Sequence, residues 1–141
     1  MIKISLAAIV VLAASGAHGQ TGDWRDSIKP NGWSLFQTEP NSEVYFRIGP
    51  AKATPTGHPL IWMRQEYSPT FREAEGIRST ASLLEIDCAS GRQRLLQSSS
   101  FLKSNLNEPV SSSGPDAWSY PQPGTVVEFP QKLLCGRDPL K

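Results

Sequence analysis

The chain has 141 residues, 14 basic and 13 acidic side chains, and two cysteines. One basic residue, Lys3, lies in an N-terminal segment with export character, so the remainder is formally neutral and lacks the charge footprint of a nucleic-acid or anionic-membrane binder. Roughly 120 residues after that segment suffice for one modest core and no second domain.

In chain order, residues 1–19 have the secretory pattern. Lys3 gives a positive start, Ile4 to Ala14 an apolar run, and Ala17-His18-Gly19 a small-x-small cleavage signal. Cleavage near Gly19/Gln20 is expected to leave the protein periplasmic or secreted. The apolar run is too short to span a bilayer, which takes about 20 such residues, and no other stretch approaches that length. Ser15-Gly16-Ala17 stands where a lipoprotein signal would place its cysteine, so neither a membrane span nor a lipid anchor is expected.

Residues 20–32 are polar, carry Pro30 and lack an apolar period, which reads as a flexible leader. The domain is expected over 33–136, with 137–141 as a C-terminal tail. Trp33 to Gln37 is a short apolar run, and Glu43 to Ile48 places Val44, Phe46 and Ile48 on one side of a strand. After a Gly- and Pro-rich loop over 49–59, Leu60-Ile61-Trp62-Met63 is apolar on both faces and suits the middle of a sheet. Tyr67 to Gly76, in which Pro69 opens a polar stretch, suits either a helical turn over Arg72, Glu73, Ala74 and Glu75 or a long polar loop, and loop is the preferred reading. Ser82 to Cys88 puts Leu84, Ile86 and Cys88 on one face, and Ala89-Ser90-Gly91 then turns the chain into Arg92 to Ser98 as a hairpin.

Phe101-Leu102 could form one more strand. Asn107 to Asp116, with two prolines and three consecutive serines, reads as a surface loop. Thr125 and Glu128 have capping-box spacing before Val126, Val127, Phe129, Leu133 and Leu134, which predicts a short amphipathic helix. Pro130 requires that helix to be distorted or to begin late. An exported chain meets an oxidising compartment, and its two cysteines allow one pairing, Cys88 to Cys135. The predicted class is α+β: a single antiparallel sheet of about five or six strands with a C-terminal helix and one disulfide.

Catalytic and metal signatures are missing. His58 is the sole histidine after the export segment and reads as a solvated loop residue. No GxSxG, HExxH, phosphate loop or acidic calcium loop occurs, so no enzyme activity, cofactor or metal is expected. Glu73/Glu75 and Glu85/Asp87 are pairs of the kind glycosidases use. The first lies near Arg72 and Arg78, and the second alternates with Leu84 and Ile86, so both are expected to face solvent. Trp33 and Trp62, inside apolar runs, are assigned to the core. Trp118 and Tyr120, beside Pro121 and Pro123, are candidates for a partner-binding surface, because such rings bury much area at small entropic cost. Arg92 and Arg94 share one strand face and could join them, adding to a local basic bias that includes Arg72, Arg78 and Lys103.

The order and spacing of Trp62, Leu84-Glu85-Ile86-Asp87-Cys88, Arg94, Trp118, Pro123-Gly124-Thr125, Glu128 and Cys135 resembles the surface-adhesin protein E family, over residues 33–136. The resemblance implies a small exported protein of Gram-negative bacteria, an antiparallel sheet packed by a C-terminal helix, bridged cysteines, and adhesion to host extracellular-matrix glycoproteins. Two features depart from that pattern, the missing lipid-attachment cysteine and Pro130. The expected function is that of a non-catalytic binding or envelope-associated module with a protein or glycan partner. The alternative is an accessory subunit of an envelope complex without adhesin activity.

Overall fold

A computed structural model describes residues 22–48, 54–71 and 73–136. The expected export segment and C-terminal tail lie outside these. The described residues form a six-stranded antiparallel sheet in simple sequence order: β1 (Ser34–Glu39), β2 (Ser42–Arg47), β3 (Leu60–Tyr67), β4 (Ser79–Asp87), β5 (Arg92–Lys103) and β6 (Asn107–Ser113). A short helix, α1 (Phe129–Cys135), follows a 3-10 turn over Val126–Glu128. As the apolar pattern indicated, β3 is central; among the described residues, no further strand lies between Tyr67 and Gly76.

Strand alternation gives the sheet two unlike faces. On one, Val44, Phe46, Ile61, Met63, Leu84 and Ile86 form a buried cluster, against which Val126, Val127, Phe129 and Leu134 pack. Phe36 stacks on Phe129 at 3.7 Å between ring centroids and meets Phe46 edge-on at 5.5 Å. The Cys88–Cys135 disulfide joins the end of β4 to the end of α1, closing a sequence separation of 47 residues.

The second face is polar and yet largely buried. Arg64 and Glu66 are 1% and 0% exposed. Arg64 Nε donates to Glu66 Oε1 at 2.6 Å, and the backbone N–H of Asn105 donates to the same oxygen at 2.9 Å. Such a pair is tolerable in the interior because its remaining donors are also used. Arg64 Nη1 reaches Lys29 O at 3.0 Å and Nη2 reaches Asn105 Oδ1 at 3.0 Å.

Several expectations are corrected here. Residues 107–113 form a strand, because Ser111, Ser112 and Ser113 pair with Ser100, Ser99 and Ser98 across β5 and β6. An edge strand exposed along its whole length has no apolar alternation to reveal it, and Pro109 is tolerated there. Phe101 and Leu102 belong to β5 and form no separate strand.

The segment before Trp33, read as flexible, makes a 3-10 turn over Trp24–Ser27 and is tied to the sheet's polar face. Lys29 N donates to Asn105 Oδ1 at 2.7 Å, and Asn105 Nδ2 donates to Ser27 O at 3.0 Å. These are polar attachments with no hydrophobic period. Trp33 is buried, but beneath guanidinium groups: Arg47 Cζ lies 4.6 Å and Arg64 Cζ 5.9 Å from its ring centroid. Trp62 is only half-buried, and by alternation it shares the polar face with Arg64.

The helix begins late, at Phe129, so Pro130 sits in the first turn where no N–H is required. The capping box does not form. Thr125 Oγ1 donates to Gln122 O at 2.6 Å, while the Glu128 carboxylate accepts from Gly124 N at 3.0 Å.

Two stability effects follow. In the chain-entropy account, replacing both cysteines by serine costs about 4 kcal/mol for a closed loop of this length, read as a lower urea midpoint with unchanged slope. Gly114 has φ of +115°, and a Cβ there would meet Leu96 O at 2.6 Å. Gly114→Ala should therefore lose about 1–3 kcal/mol in the same measurement, against no change at the open, exposed Gly22.

Candidate functional site

The β4–β5 hairpin sets two acid–base pairs directly opposite each other on the polar face, Glu85 with Arg94 and Asp87 with Arg92. Opposite charges at such positions support the pairing. Arg94 Nε donates to Glu85 Oε2 at 2.7 Å, while Arg92 Nη2 stands 3.7 Å from Asp87 Oδ2. Asp87 also caps the turn, accepting from Ala89 N at 3.0 Å and Ser90 N at 3.1 Å.

His58 arrives from the β3 side. Leu60 is the register partner of Glu85, and Ile86 N donates to Pro59 O at 3.0 Å, so the chain just before β3 runs alongside β4. His58 Nδ1 lies 3.0 Å from Glu85 Oε1, and Nε2 lies 3.9 Å from Asp87 Oδ1. Both ring nitrogens face carboxylates.

Trp118 comes from the far end of the sequence. Beyond β6 the chain runs beside β5: Asp116 N donates to Leu95 O at 2.8 Å, and Gln93 and Ser119 exchange both backbone bonds at 2.8 and 2.9 Å. That bridge lays the Trp118 ring over Arg94, whose Cζ is 4.7 Å from the centroid, with the Arg92 Cζ at 5.7 Å. His58 meets the ring edge-on at 5.5 Å. Cation–π contacts of this kind add modestly at exposed sites and more when water is excluded.

Of the four residues singled out from sequence, Arg92, Arg94 and Trp118 converge. Tyr120 follows two residues after Trp118 and is 71% exposed, the most open of the large apolar side chains among the described residues.

Two expectations change at this site. Glu85 does not face solvent: it is 1% exposed, because Arg94 and His58 close over it. His58 is not a free loop residue, being half-buried against Glu85 and Trp118. The missed signal is the hairpin register. A turn over 89–91 places 87 against 92, and hence acid against base at each pair on that face.

Burial pushes the Glu85 carboxyl up. Hydrogen bonds from Arg94 and His58, with the Arg94 charge and a bond from Thr54, outweigh it and hold the group below its ordinary value. Asp87 is likewise held low, chiefly by the Ser90 hydroxyl and backbone N–H. Among the described residues no group of three His, Cys, Asp or Glu side chains is placed to hold a metal ion.

The chain has no match among known family models, curated proteins or solved structures.

A carboxyl held below its ordinary value stabilises the fold fully above that value, and the contribution is lost as pH falls through the lowered one. Glu85→Gln should cost about 1–3 kcal/mol at pH 7 by leaving Arg94 poorly paired, and should flatten the loss of stability between neutral and acid pH. Urea midpoints at pH 7 and pH 3 check this. A variant as acid-sensitive as the wild type would place the acid response elsewhere.

Proposed function

We propose that the protein is an exported, non-catalytic binding module of the bacterial envelope, of the surface-adhesin protein E type. Its partner, a protein or glycan, is taken on the surface built by Trp118, Tyr120, Arg92 and Arg94. One observation carries this reading: the Gln93–Ser119 bridge fixes an aromatic segment beside two arginines and leaves Tyr120 open to solvent. A fixed aromatic next to guanidinium groups is the residue combination on which binding energy concentrates in interfaces.

The division of labour within the surface is physical. Trp118 is held from the protein side by Arg94 and His58, so it acts as a rigid base, while Tyr120 and the half-exposed Arg92 are the groups a partner would meet first. The non-catalytic part of the reading draws support from His58. Nδ1 is turned to Glu85 and so is engaged within the protein.

The test is solid-phase binding of the purified protein to a panel of extracellular-matrix glycoproteins, each in native and enzymatically deglycosylated form. We expect saturable binding that falls about tenfold or more in a Tyr120→Ala/Arg92→Ala double variant of unchanged stability. Loss on deglycosylation identifies a glycan partner. Binding that ignores the double substitution would move the site elsewhere. Failure on every glycoprotein, combined with cross-linking through position 120 to an envelope protein, would instead favour an accessory subunit.

A further inference from the structure

On the opposite, helix-bearing side of the sheet lies a cavity of about 390 Å³, roofed by the same 116–122 segment. Met63, Leu84, Leu95 and Val127 supply apolar lining, and Gln93, Ser119, Gln122 and Thr125 stand among the polar residues around it with Tyr120. Gln93 is 6% exposed, and its Oε1 is buried without a hydrogen-bond partner. Its backbone N–H and C=O are both consumed by Ser119, so the carboxamide oxygen is the residue's unused acceptor.

A buried carbonyl without a donor loses its hydration and gains nothing in return. At a strand position flanked by Leu84 and Leu95, leucine would fill the same space without that cost. A glutamine here makes energetic sense when something in the cavity donates to it. The volume falls within the range of small-molecule sites, and apolar lining with a few placed polar groups is their usual composition.

The charge of the occupant follows from the lining. Arg94 also borders the cavity, but its guanidinium is bonded to Glu85 and stacked on Trp118 on the other face. Asp116 borders it too and is exposed. A charged ligand would lose hydration without a buried counter-charge.

We propose that this cavity is a binding site for a small uncharged molecule with an apolar body and one hydrogen-bond donor, and that the donor bonds to Gln93 Oε1. The inference concerns the other face and a different kind of ligand, although Tyr120 and Arg94 border both the cavity and the Trp118 surface.

The test titrates the full chain, labelled with 15N, with three probes of similar shape: p-cresol, which carries a donor, 4-methylanisole, which keeps the oxygen without the donor, and toluene, which has neither. Expected are saturable shifts with p-cresol at the amides of Gln93, Leu95 and Val127, and at least about tenfold weaker binding of the other two. In Gln93→Leu, toluene should bind as well as p-cresol or better. Should that variant not fold, the ranking of the three probes on the wild type decides alone. No saturable shift with p-cresol would mean that the cavity holds water only and would overturn the proposal. So would equal affinity for all three probes, or shifts centred on Trp118 and Arg92 instead. Tyr120 borders the cavity as well, so the variant that separates the two sites is Arg92→Ala alone: its loss of glycoprotein binding bears on the other surface and leaves this result untouched.

Discussion

The helix of this protein has seven residues, too few to persist in water without support. Its place is secured by the Cys88–Cys135 bridge at one end and by Phe129, stacked on Phe36 and tilted against Phe46, at the other. Gln131 adds a side-chain bond to the Gly91 carbonyl in the β4–β5 turn. Everything between β6 and the helix is strung between two fixed points, Gly114 packed against the Leu96 carbonyl and the helix start. Both the aromatic–arginine surface and the cavity are made by that one segment. The disulfide therefore bears on the proposed surface as well as on stability: it holds the downstream end of the segment that carries Trp118 and Tyr120.

The sheet itself solves two different problems on its two faces. One buries aliphatic and aromatic side chains in the ordinary way. The other buries charge, and does so by satisfying each group: Glu66 by Arg64 and Asn105, Glu85 by Arg94 and His58. Burial raises the Glu66 carboxyl, against the pull of Arg64, Asn105 and Arg78, whereas at Glu85 the bonds prevail and the carboxyl is lowered. Both carboxyls are closed off, and the groups over them differ: Glu66 lies beneath the Trp24–Trp33 segment's attachments with a guanidinium that is itself buried, while the Arg94 side chain over Glu85 is 33% exposed.

How far residues could be read in advance depended on whether their role leaves a pattern in nearby sequence. Val44, Phe46, Leu84 and Ile86 alternate with polar neighbours, and their strands were legible. So was the hairpin around Ser90-Gly91. The late helix start followed from Pro130 alone. By contrast, β6 has no apolar alternation because neither of its faces is covered, and the attachment of residues 22–32 rests on polar bonds to Asn105 and Arg64, some 75 and 35 positions away. Trp118 and the Arg92/Arg94 strand face, which the Gln93–Ser119 bridge brings together, were each legible as candidates. His58 and Glu85 were not, since a lone histidine and a strand carboxylate each have a commoner solvated role.

By itself, then, the sequence determined the antiparallel class, the central strand, the terminal helix and the single possible disulfide, because periodicity, proline and cysteine count are local or combinatorial constraints. Tertiary structure alone decided which face buries charge, that Glu85 is enclosed, that a serine-rich run becomes an edge strand, and that Gln93, at the wall of a cavity, buries its Oε1 without a partner. Those outcomes arise from register between distant strands and from the path of the chain after Gly114. Hydrogen-bond partners that lie far apart in sequence leave no period for a linear reading to detect.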